Sequence, residues 1–483
     1  MNLARVLNGH AADGVALIEG DDSITYGELR RRVAAMQVDL RARGVEEGTT
    51  VATVSGNDVA FVVSTLALLG LGGIAMPLNP GSPPSELVRK LDVANPSLLL
   101  VGHAGRAHLD DPTIRTERVD LIELDARARA ATDGPVEPDV VDRADDDAAF
   151  YLATSGVSGN AKVAVLTHHN LGWIHEALDG MDQPVTSDDV TLGVLPFTHI
   201  FGLNVVLLAT LRNGGTVVLQ QRFDAEESLQ LVGRHGVTML TGAPPMWQRW
   251  LAADVPDDVL RSVQFAASGA AALPLGVFEG VKSRFGLEIA QGYGLTETSP
   301  IVTLGRGFEV RPSSVGRVLP GVHVALVDES GTPVDIGDEG EIVVRSPGVF
   351  AGYLDDQDTT DSVLSEDGWL WTGDVGIFDE EGYLYLVDRI KDIVIVSGFN
   401  VYPAEVENVL MAHPDVAAAI VTGTANEETG EAVVAHVSGT ATQADLEAHV
   451  EKHLSRYKQP TVYHFLDELP IAPNGKAIRR ALR

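Results

Sequence analysis

Short apolar runs alternate with helix-periodic segments over roughly the first 300 residues of the chain. The runs at 51–54, 97–101, 191–195, 239–241 and 264–267 have the length and composition of buried strands. Between such runs, apolar residues return every three or four positions, as in a first helix that Thr25 and Glu28 would begin as a capping box. Because strands separated by helices are typical of layered α/β domains, the sequence predicts that class.

The pattern changes in the later part of the chain. Short strands such as 316–318 and 340–345 are separated by glycine, proline and aspartate, which indicates a small β-barrel subdomain. The α/β pattern then returns in a final unit of about ninety residues, an ordinary domain size. We therefore expect an N-terminal domain over 1–388, a hinge over 389–391 and a smaller C-terminal domain over 392–483.

The most apolar run, at 59–78, approaches the length of a membrane span. Gly70, Gly72 and Gly73 interrupt it and Pro77 ends it, so we interpret it as a buried helix followed by a core strand. The first ten residues lack the basic and apolar pattern of a signal peptide. A cytoplasmic location is therefore expected, and no membrane span.

The charge of the chain restricts its partners. The 483 residues include 68 acidic and 35 basic side chains, which gives a formal net charge of −33. A surface this acidic repels nucleic acid and anionic membranes, and any nucleotide site must be locally positive. The absence of cysteine excludes a disulfide framework, a thiolate nucleophile and a zinc–thiolate site.

A loop of small and hydroxyl residues follows a short apolar strand at 149–153. Its chemistry-bearing members are Thr154, Ser155, Gly156, Ser158, Gly159 and Lys162. Glycines let backbone N–H groups curve around an anion, hydroxyls add donors and lysine supplies a charge, so the loop fits a phosphate. It is not the Walker pattern. An ordinary hairpin turn rich in serine and glycine would explain the same residues.

Further segments place polar side chains at turns. They are 291–297 with Tyr293, Thr296 and Glu297, 371–374 with Asp374, 389–407 with Arg389, Lys391 and Gly398, and 473–476 with Lys476. Each has a structural alternative, because aspartate after glycine often only caps a turn and a lysine near a terminus is usually solvated. The sequence has no Gly-x-Ser-x-Gly and no His-Glu-x-x-His motif, and His168 and His169 are interpreted as structural or surface residues.

In this order, the segments resemble the adenylate-forming superfamily of acyl-CoA synthetases, aryl-CoA ligases, luciferases and adenylation domains. The resemblance extends from about residue 20 to Lys476. It implies an α/β fold: a large N-terminal AMP-binding domain of two αβ layers plus a small β-barrel subdomain, with a small mobile α+β C-terminal domain. It also implies ATP, Mg²⁺ and coenzyme A, and the activation of a carboxylic acid to acyl-AMP before transfer to CoA.

The resemblance assigns roles residue by residue. The ATP phosphates would be held by Thr154, Ser155, Gly156, Ser158, Gly159 and Lys162. Tyr293 would stack on adenine in a slot lined by Gly269 and Ala270. Gln291 and Gly292 would also belong to the ATP/AMP site, with Gly292 beside the acyl group. Asp374 with Arg389 would bind the ribose, and Thr296 would contact the α-phosphate. Glu297 would take Mg²⁺, and Lys476 would bridge the attacking carboxylate and the α-phosphate.

The acid and thiol sites follow in the same way. His199 resembles the family's histidine at the junction of the acyl and pantetheine channels, Lys391 occupies the hinge position, and Gly398 would line the pantetheine tunnel. An acyl pocket would include Phe201, Trp247 and Gly294. Trp247 could equally be a core residue. The pocket stretches are mostly apolar and contain no arginine to pair a second carboxylate, which favours a medium-chain fatty or aryl acid over malonate.

Some positions depart from the family pattern. Val157 stands in place of threonine or serine, Ala161 in place of proline and Val163 in place of glycine, while Ile395 replaces a lysine frequent in aryl-CoA ligases. Two other functions stay open: an acyl-AMP ligase that loads an acyl carrier protein, and a paralogue that binds nucleotide or acyl-adenylate without turnover. A homodimer also stays open.

Overall fold

The computed structural model describes residues 1–131, 136–154, 162–389, 392–396, 399–426, 429–471 and 478–482, with the backbone alone at 389, 400 and 480. The strands are β1 (Val15–Glu19), β2 (Asp22–Thr25), β3 (Thr50–Val54), β4 (Ile74–Leu78), β5 (Leu98–Val101), β6 (Glu117–Asp120), β7 (Ala148–Thr154), β8 (Lys162–Thr167), β9 (Val190–Gly193), β10 (Thr216–Leu219), β11 (Met239–Gly242), β12 (Phe265–Ser268), β13 (Ile289–Gly294), β14 (Ile301–Leu304), β15 (Ser314–Val318), β16 (His323–Val327), β17 (Gly340–Arg345), β18 (Gly352–Tyr353), β19 (Leu370–Phe378), β20 (Tyr383–Arg389), β21 (Val394–Val396), β22 (Phe399–Val401), β23 (Val416–Asn426), β24 (Gly430–Gly439) and β25 (Val462–Phe465).

The helices are α1 (Tyr26–Ala42), α2 (Val59–Gly70), α3 (Pro84–Ala94), α4 (Leu121–Ala130), α5 (His168–Asp179), α6 (Ala209–Arg212), α7 (Ala225–His235), α8 (Pro244–Ala252), α9 (Leu275–Phe285), α10 (Gln357–Asp361), α11 (Pro403–Met411) and α12 (Gln443–His453). A π-helix, Phe201–Leu208, precedes α6. A one-turn 3₁₀ helix, Thr296–Thr298, follows β13.

Two sheets form the larger N-terminal domain. One has thirteen strands in the order β16-β17-β19-β20-β15-β14-β13-β12-β11-β9-β10-β1-β2, and the other has seven in the order β18-β8-β7-β4-β3-β5-β6. From β10 to β13 the pairing is parallel, and from β13 to β16 it is antiparallel. The predicted α/β layers are confirmed. The strands predicted as a separate barrel continue the thirteen-stranded ladder through the β13–β14 pair.

Acidic residues are frequent in the stretch 102–147, and regular elements lie within it. It contains β6, which extends the seven-stranded sheet by pairing with β5, and α4, which packs with Leu121 and Leu124 buried. Asp120 caps α4 by accepting from the backbone N–H groups of Ile122 and Glu123. The half-exposed edge strand explains why hydrophobic patterning missed it.

The apolar run at 59–78 divides as predicted into α2 and β4, both buried between the layers. Asp58 caps α2 by accepting from the Phe61 N–H at 2.8 Å. The position of Asn57 before the helix would suggest that it caps α2, but Asp58 does so instead. No helix in the described part of the chain is long and apolar enough to cross a membrane.

The smaller C-terminal domain has its own five-stranded sheet, in which β22, β21, β24 and β23 pair in that order and β25 adds to β24. Its core includes Val401, Val406, Leu410 and Leu446. Hydrogen bonds between described residues join it to the larger domain. The Ala404 N–H donates to Asp388 Oδ2 at 2.7 Å, and the Tyr402 hydroxyl donates to Glu339 Oε2 at 2.6 Å.

Candidate active site

Several of the predicted site residues lie at one edge of the thirteen-stranded sheet. The parallel strands β9, β11, β12 and β13 end at Gly193, Gly242, Ser268 and Gly294. Because parallel strands present their carboxyl ends at one edge, the segments after them lie together, and ligands of open α/β sheets bind there. His199 follows β9, Gly269 and Ala270 follow β12, and Gly292 and Tyr293 lie at the end of β13.

We call Gly269, Ala270, Tyr293 and Asp374 the adenosine side of this edge. The Tyr293 hydroxyl donates a 2.7 Å hydrogen bond to Asp374 Oδ2, and each residue is only 8% exposed. Asp374 on β19 lies directly opposite Arg389 on β20. The structure thus joins three residues that the sequence had placed in separate segments, although the Arg389 side chain lies outside the described residues.

Gln291 and Gly292 support this side. The Gln291 side chain is buried and its Oε1 accepts from the Leu273 N–H at 3.0 Å, so it braces the turn after β12. A Cβ on Gly292 would lie 3.2 Å from both Leu304 Cδ1 and Thr303 O. Glu341 Oε1 accepts from the N–H of Gly373 beside Asp374, and burial above all raises the pKa of Glu341, with the Asp374 charge adding to it.

We call Thr154, Lys162, Glu297 and Tyr353 the phosphate side. Thr154 and Lys162 face each other across the β7–β8 hairpin. Lys162 Nζ lies 5.2 Å from the centroid of the Tyr353 ring, and the Tyr353 hydroxyl donates to Glu297 Oε1 at 2.7 Å. Sequence reasoning missed Tyr353, and its one available signal was an aromatic residue after glycine in the apolar stretch 349–354.

The turn that carries Thr296 and Glu297 is fixed by the Thr298 hydroxyl and by the close packing at Gly294. The Thr298 hydroxyl accepts from the Leu295 N–H and donates to Pro300 O at 2.7 Å. Gly294 allows the approach of Pro300, since a Cβ there would lie 1.6 Å from the Pro300 carbonyl oxygen. Gly294, which we predicted to belong to the acyl pocket, is therefore also required to be glycine by the packing of this turn.

The other acyl-pocket residues differ in exposure. Phe201 is half-buried on the π-helix, and its ring lies 3.0 Å from where a Cβ on Gly269 would stand, so it borders the adenosine side. Trp247 is fully buried and its Nε1–H donates to Ala267 O at 3.2 Å. It also packs edge-on against Trp250. These contacts support the core alternative for Trp247.

Asn57 fixes the segment that leads to His199. Its buried amide nitrogen donates to Gly193 O and Leu195 O, each at 2.9 Å, and its oxygen accepts from the Phe197 N–H at 2.9 Å. This side chain ties the loop after β3 to the end of β9. His199 closes the turn that Pro196 begins, because its N–H donates to Pro196 O.

Several predicted residues lie outside the described part of the chain. They are Ser155, Gly156, Ser158, Gly159, Lys391, Gly398 and Lys476, together with the variant positions Val157 and Ala161. Val163 is described, and it is buried in β8 beside Ala52, Met76 and Leu78. A valine at this position therefore adds to the core. His168 is also structural: it is buried, and its Nδ1 accepts from the Leu3 N–H.

The described residues fit a magnesium ion that arrives with a nucleotide. Within them, no cluster of three or more histidine, cysteine, aspartate or glutamate side chains could hold a metal alone. Mg²⁺ is usually bound through one or two carboxylates together with substrate phosphates. Glu297 supplies such a carboxylate and Lys162 a cation for phosphate, and both contact the same tyrosine.

Comparison with known proteins agrees with this geometry. The family model described as AMP-binding enzyme matches residues 3–354, and the AMP-binding enzyme C-terminal domain matches residues 405–476. A feruloyl-CoA synthase of Amycolatopsis sp is 36% identical over 485 residues, covering 97% of this chain and 95% of the relative. A 4-coumarate–CoA ligase 5 of Oryza sativa subsp. japonica is 32% identical over 499 residues, covering 98% and 91%.

Among solved structures, ATP-bound MatB from Rhodopseudomonas palustris superposes with a TM-score of 0.92 at 31% identity, covering 100% of this chain and 98% of that one. These matches confirm the predicted fold and the resemblance. The chain belongs to the AMP-binding enzyme family, and it is an AMP-forming acid–CoA ligase that uses ATP, Mg²⁺ and coenzyme A.

Proposed function

We propose that the protein activates an apolar monocarboxylic acid with ATP, releasing pyrophosphate, and then transfers the acyl group from acyl-AMP to coenzyme A. The observation that carries the proposal is the Tyr293–Asp374 hydrogen bond at the carboxyl edge of the parallel strands. It brings a ring for adenine and a carboxylate for a ribose diol together from positions 81 residues apart.

The first step joins two anions. A carboxylate oxygen of the acid attacks the α-phosphorus of ATP, the bond to the bridging oxygen breaks, and pyrophosphate leaves. Catalysis of such a step is mainly charge neutralisation and alignment. We assign neutralisation to Lys162 and Lys476, contact with the α-phosphate to Thr296, and the carboxylate for Mg²⁺ to Glu297. The ion would supply positive charge on the phosphate oxygens.

The second step needs access for a thiol. The sulfur attacks the acyl carbonyl, its proton goes to solvent and AMP leaves. We propose that the C-terminal domain, 392–483, rotates about the hinge 389–391, withdraws Lys476 and brings Gly398 to the thiol's path, with His199 at the junction of the two channels. A glycine leaves room there for the pantetheine arm.

The acid is proposed to be an aryl acid, with a medium-chain fatty acid as the alternative. The stretches 199–203, 243–247, 266–270 and 292–300 contain no lysine or arginine, so a second carboxylate would lack a partner. Phe201 offers an aromatic wall beside Gly269. The names of the feruloyl and 4-coumarate relatives support the aryl class, whereas Ile395, which stands in place of a lysine, argues mildly against it.

One panel experiment tests the acid and the acceptor. Ferulate, 4-coumarate, benzoate, octanoate, decanoate and malonate are each incubated with ATP and Mg²⁺, with and without CoA. Pyrophosphate release and thioester mass are recorded. We expect CoA-dependent thioester from aryl acids and none from malonate. Pyrophosphate exchange without thioester would favour loading of a carrier protein, and silence with all acids would favour a non-catalytic paralogue.

The role of Lys476 is tested separately. Lys476→Ala should lose adenylate formation by about a hundredfold or more, since removal of one such charge contributes several kcal/mol to the barrier. It should keep thioester formation from supplied acyl-AMP. Equal loss of both steps would contradict the rotation.

The proposal also includes a cytoplasmic location, where ATP and CoA are available, and a homodimer, which light scattering would test.

A further inference from the structure

We propose that Tyr353 is a positioning residue that fixes the direction of the Glu297 carboxylate and places Lys162 beside it, so that metal and phosphate are bound together. The proposal rests on the proposed function of this edge as an ATP site. Tyr353 belongs to none of the motifs that identified the site, and it reaches two of them.

The backbone of Tyr353 is held on the strand that carries Lys162. β18 pairs antiparallel with β8, which places Tyr353 opposite Ala164. The flanking Leu354 N–H donates to Val163 O at 2.8 Å, and the Tyr353 N–H donates to Thr360 Oγ1 at 2.9 Å. The tyrosine therefore starts from a fixed point relative to the phosphate hairpin.

The ring is fixed as well. It packs edge-on against Phe350, with ring centroids 4.9 Å apart, and the ring face lies under the Lys162 ammonium. A cation above an aromatic face is attracted by the ring quadrupole. Lys162 therefore has a preferred place before any phosphate arrives.

The same segment holds Glu297 twice. The Phe350 N–H donates to Glu297 O at 2.9 Å, and the Tyr353 hydroxyl donates to Glu297 Oε1 at 2.7 Å. A hydroxyl-to-carboxylate bond at this distance is charge-assisted. Because the bond holds Oε1, it fixes the plane of the Glu297 carboxylate and therefore the direction in which Oε2 points. Partners that orient a metal-binding carboxylate typically change metal affinity by ten- to a hundredfold.

Tyr353→Phe tests this, because it removes the hydroxyl and leaves the ring over which Lys162 lies. The matched control is Tyr385→Phe, whose hydroxyl donates at 3.3 Å to Asp379 in the antiparallel part of the larger sheet. ATP binding is measured by calorimetry without acid, once in Mg²⁺ and once in EDTA. Pyrophosphate release is titrated with Mg²⁺ at saturating ATP.

For Tyr353→Phe we expect the half-saturating Mg²⁺ concentration to rise about tenfold. ATP affinity in EDTA and the melting temperature should match those of the wild type. Tyr385→Phe should leave all three unchanged. Tyr353→Leu, which also removes the ring, should weaken ATP binding in EDTA in addition.

An unchanged Mg²⁺ dependence in Tyr353→Phe would overturn the proposal, and so would an equal loss of ATP affinity with and without Mg²⁺, because a purely structural tyrosine would act in both conditions. Failure of the proposed function looks different. In that case the wild type itself would release no pyrophosphate, while calorimetry with Mg²⁺ and ATP would still decide the role of Tyr353.

Discussion

The adenosine side and the phosphate side of the site are held in place by different means. On the adenosine side, Tyr293 and Asp374 lie on strands of one continuous hydrogen-bonded sheet, and both are buried. On the phosphate side, Lys162 and Tyr353 lie on paired strands of the smaller sheet, but they reach each other and Glu297 through half-buried side chains. The first side is therefore part of the fold, whereas the second can be altered without unfolding the protein.

The largest effect is expected where the two sides meet. Gly294→Ala would place a Cβ 1.6 Å from Pro300 O, so the turn between Tyr293 and Glu297 cannot keep its shape. We expect a loss of more than about 4 kcal/mol in the free energy of unfolding, measured in urea. Gly276→Ala is the control, because it lies at an exposed position of α9 and its Cβ would meet nothing within 4 Å. Equal stability of the two variants would show that the turn is not a rigid junction.

Acid should lower the stability of the fold next to the phosphate side. His168 begins α5, directly after the strand of Lys162, and burial lowers its pKa to about 4. Between pH 6.5 and pH 4 the unfolded state binds a proton that the folded state excludes, so stability falls as pH falls. His168→Asn should remove about 3 kcal/mol of this fall. Urea unfolding across that pH range measures it.

His323→Asn makes the same exchange at an exposed position and is the control for the substitution itself. A wild-type slope that persists in His168→Asn would mean that another buried group, such as His175, whose pKa burial also lowers to about 4, accounts for the acid sensitivity.

A third substitution tests whether nucleotide affinity at the adenosine side is independent of the metal at the phosphate side. Tyr293→Phe keeps the ring and removes the donor to Asp374. A hydrogen bond to a charged group contributes about 1.5–3 kcal/mol, so ATP and AMP should bind about tenfold more weakly. The loss should be equal in Mg²⁺ and in EDTA by calorimetry. A loss confined to Mg²⁺ would mean that the two sides are not independent.

The smallest effect concerns strain beside the adenosine side. Ser313, directly before β15, has a φ of 70°, a conformation that suits glycine. Ser313→Gly should therefore stabilise the protein by about 0.5–1 kcal/mol in thermal or urea unfolding. Ser283→Gly, in the last turn of α9, should change stability in the opposite direction. Destabilisation by Ser313→Gly would show that a contact of the serine side chain stabilises the protein by more than the backbone strain destabilises it.

The sequence predicted the adenosine side better than the phosphate side, for a physical reason. Apolar strands with glycine at or directly after their end, such as β11 and β12, are visible in the hydrophobic pattern, and parallel pairing then brings their ends together. Tyr353 lies on a two-residue strand, which has no periodicity to detect. Asn57 was also missed, because a polar residue at the start of an apolar helix suggests a cap, whereas its amide reaches across to another sheet.

The pairing of Asp374 with Arg389 bears on the order of product release. Both residues belong to a ladder that ends where the proposed hinge begins, so bond rotations beyond residue 389 leave every hydrogen bond between β19 and β20 intact. The Asp374 carboxylate, for which we propose ribose binding, would thus keep its position throughout the proposed domain rotation. AMP could remain seated while the thioester departs first.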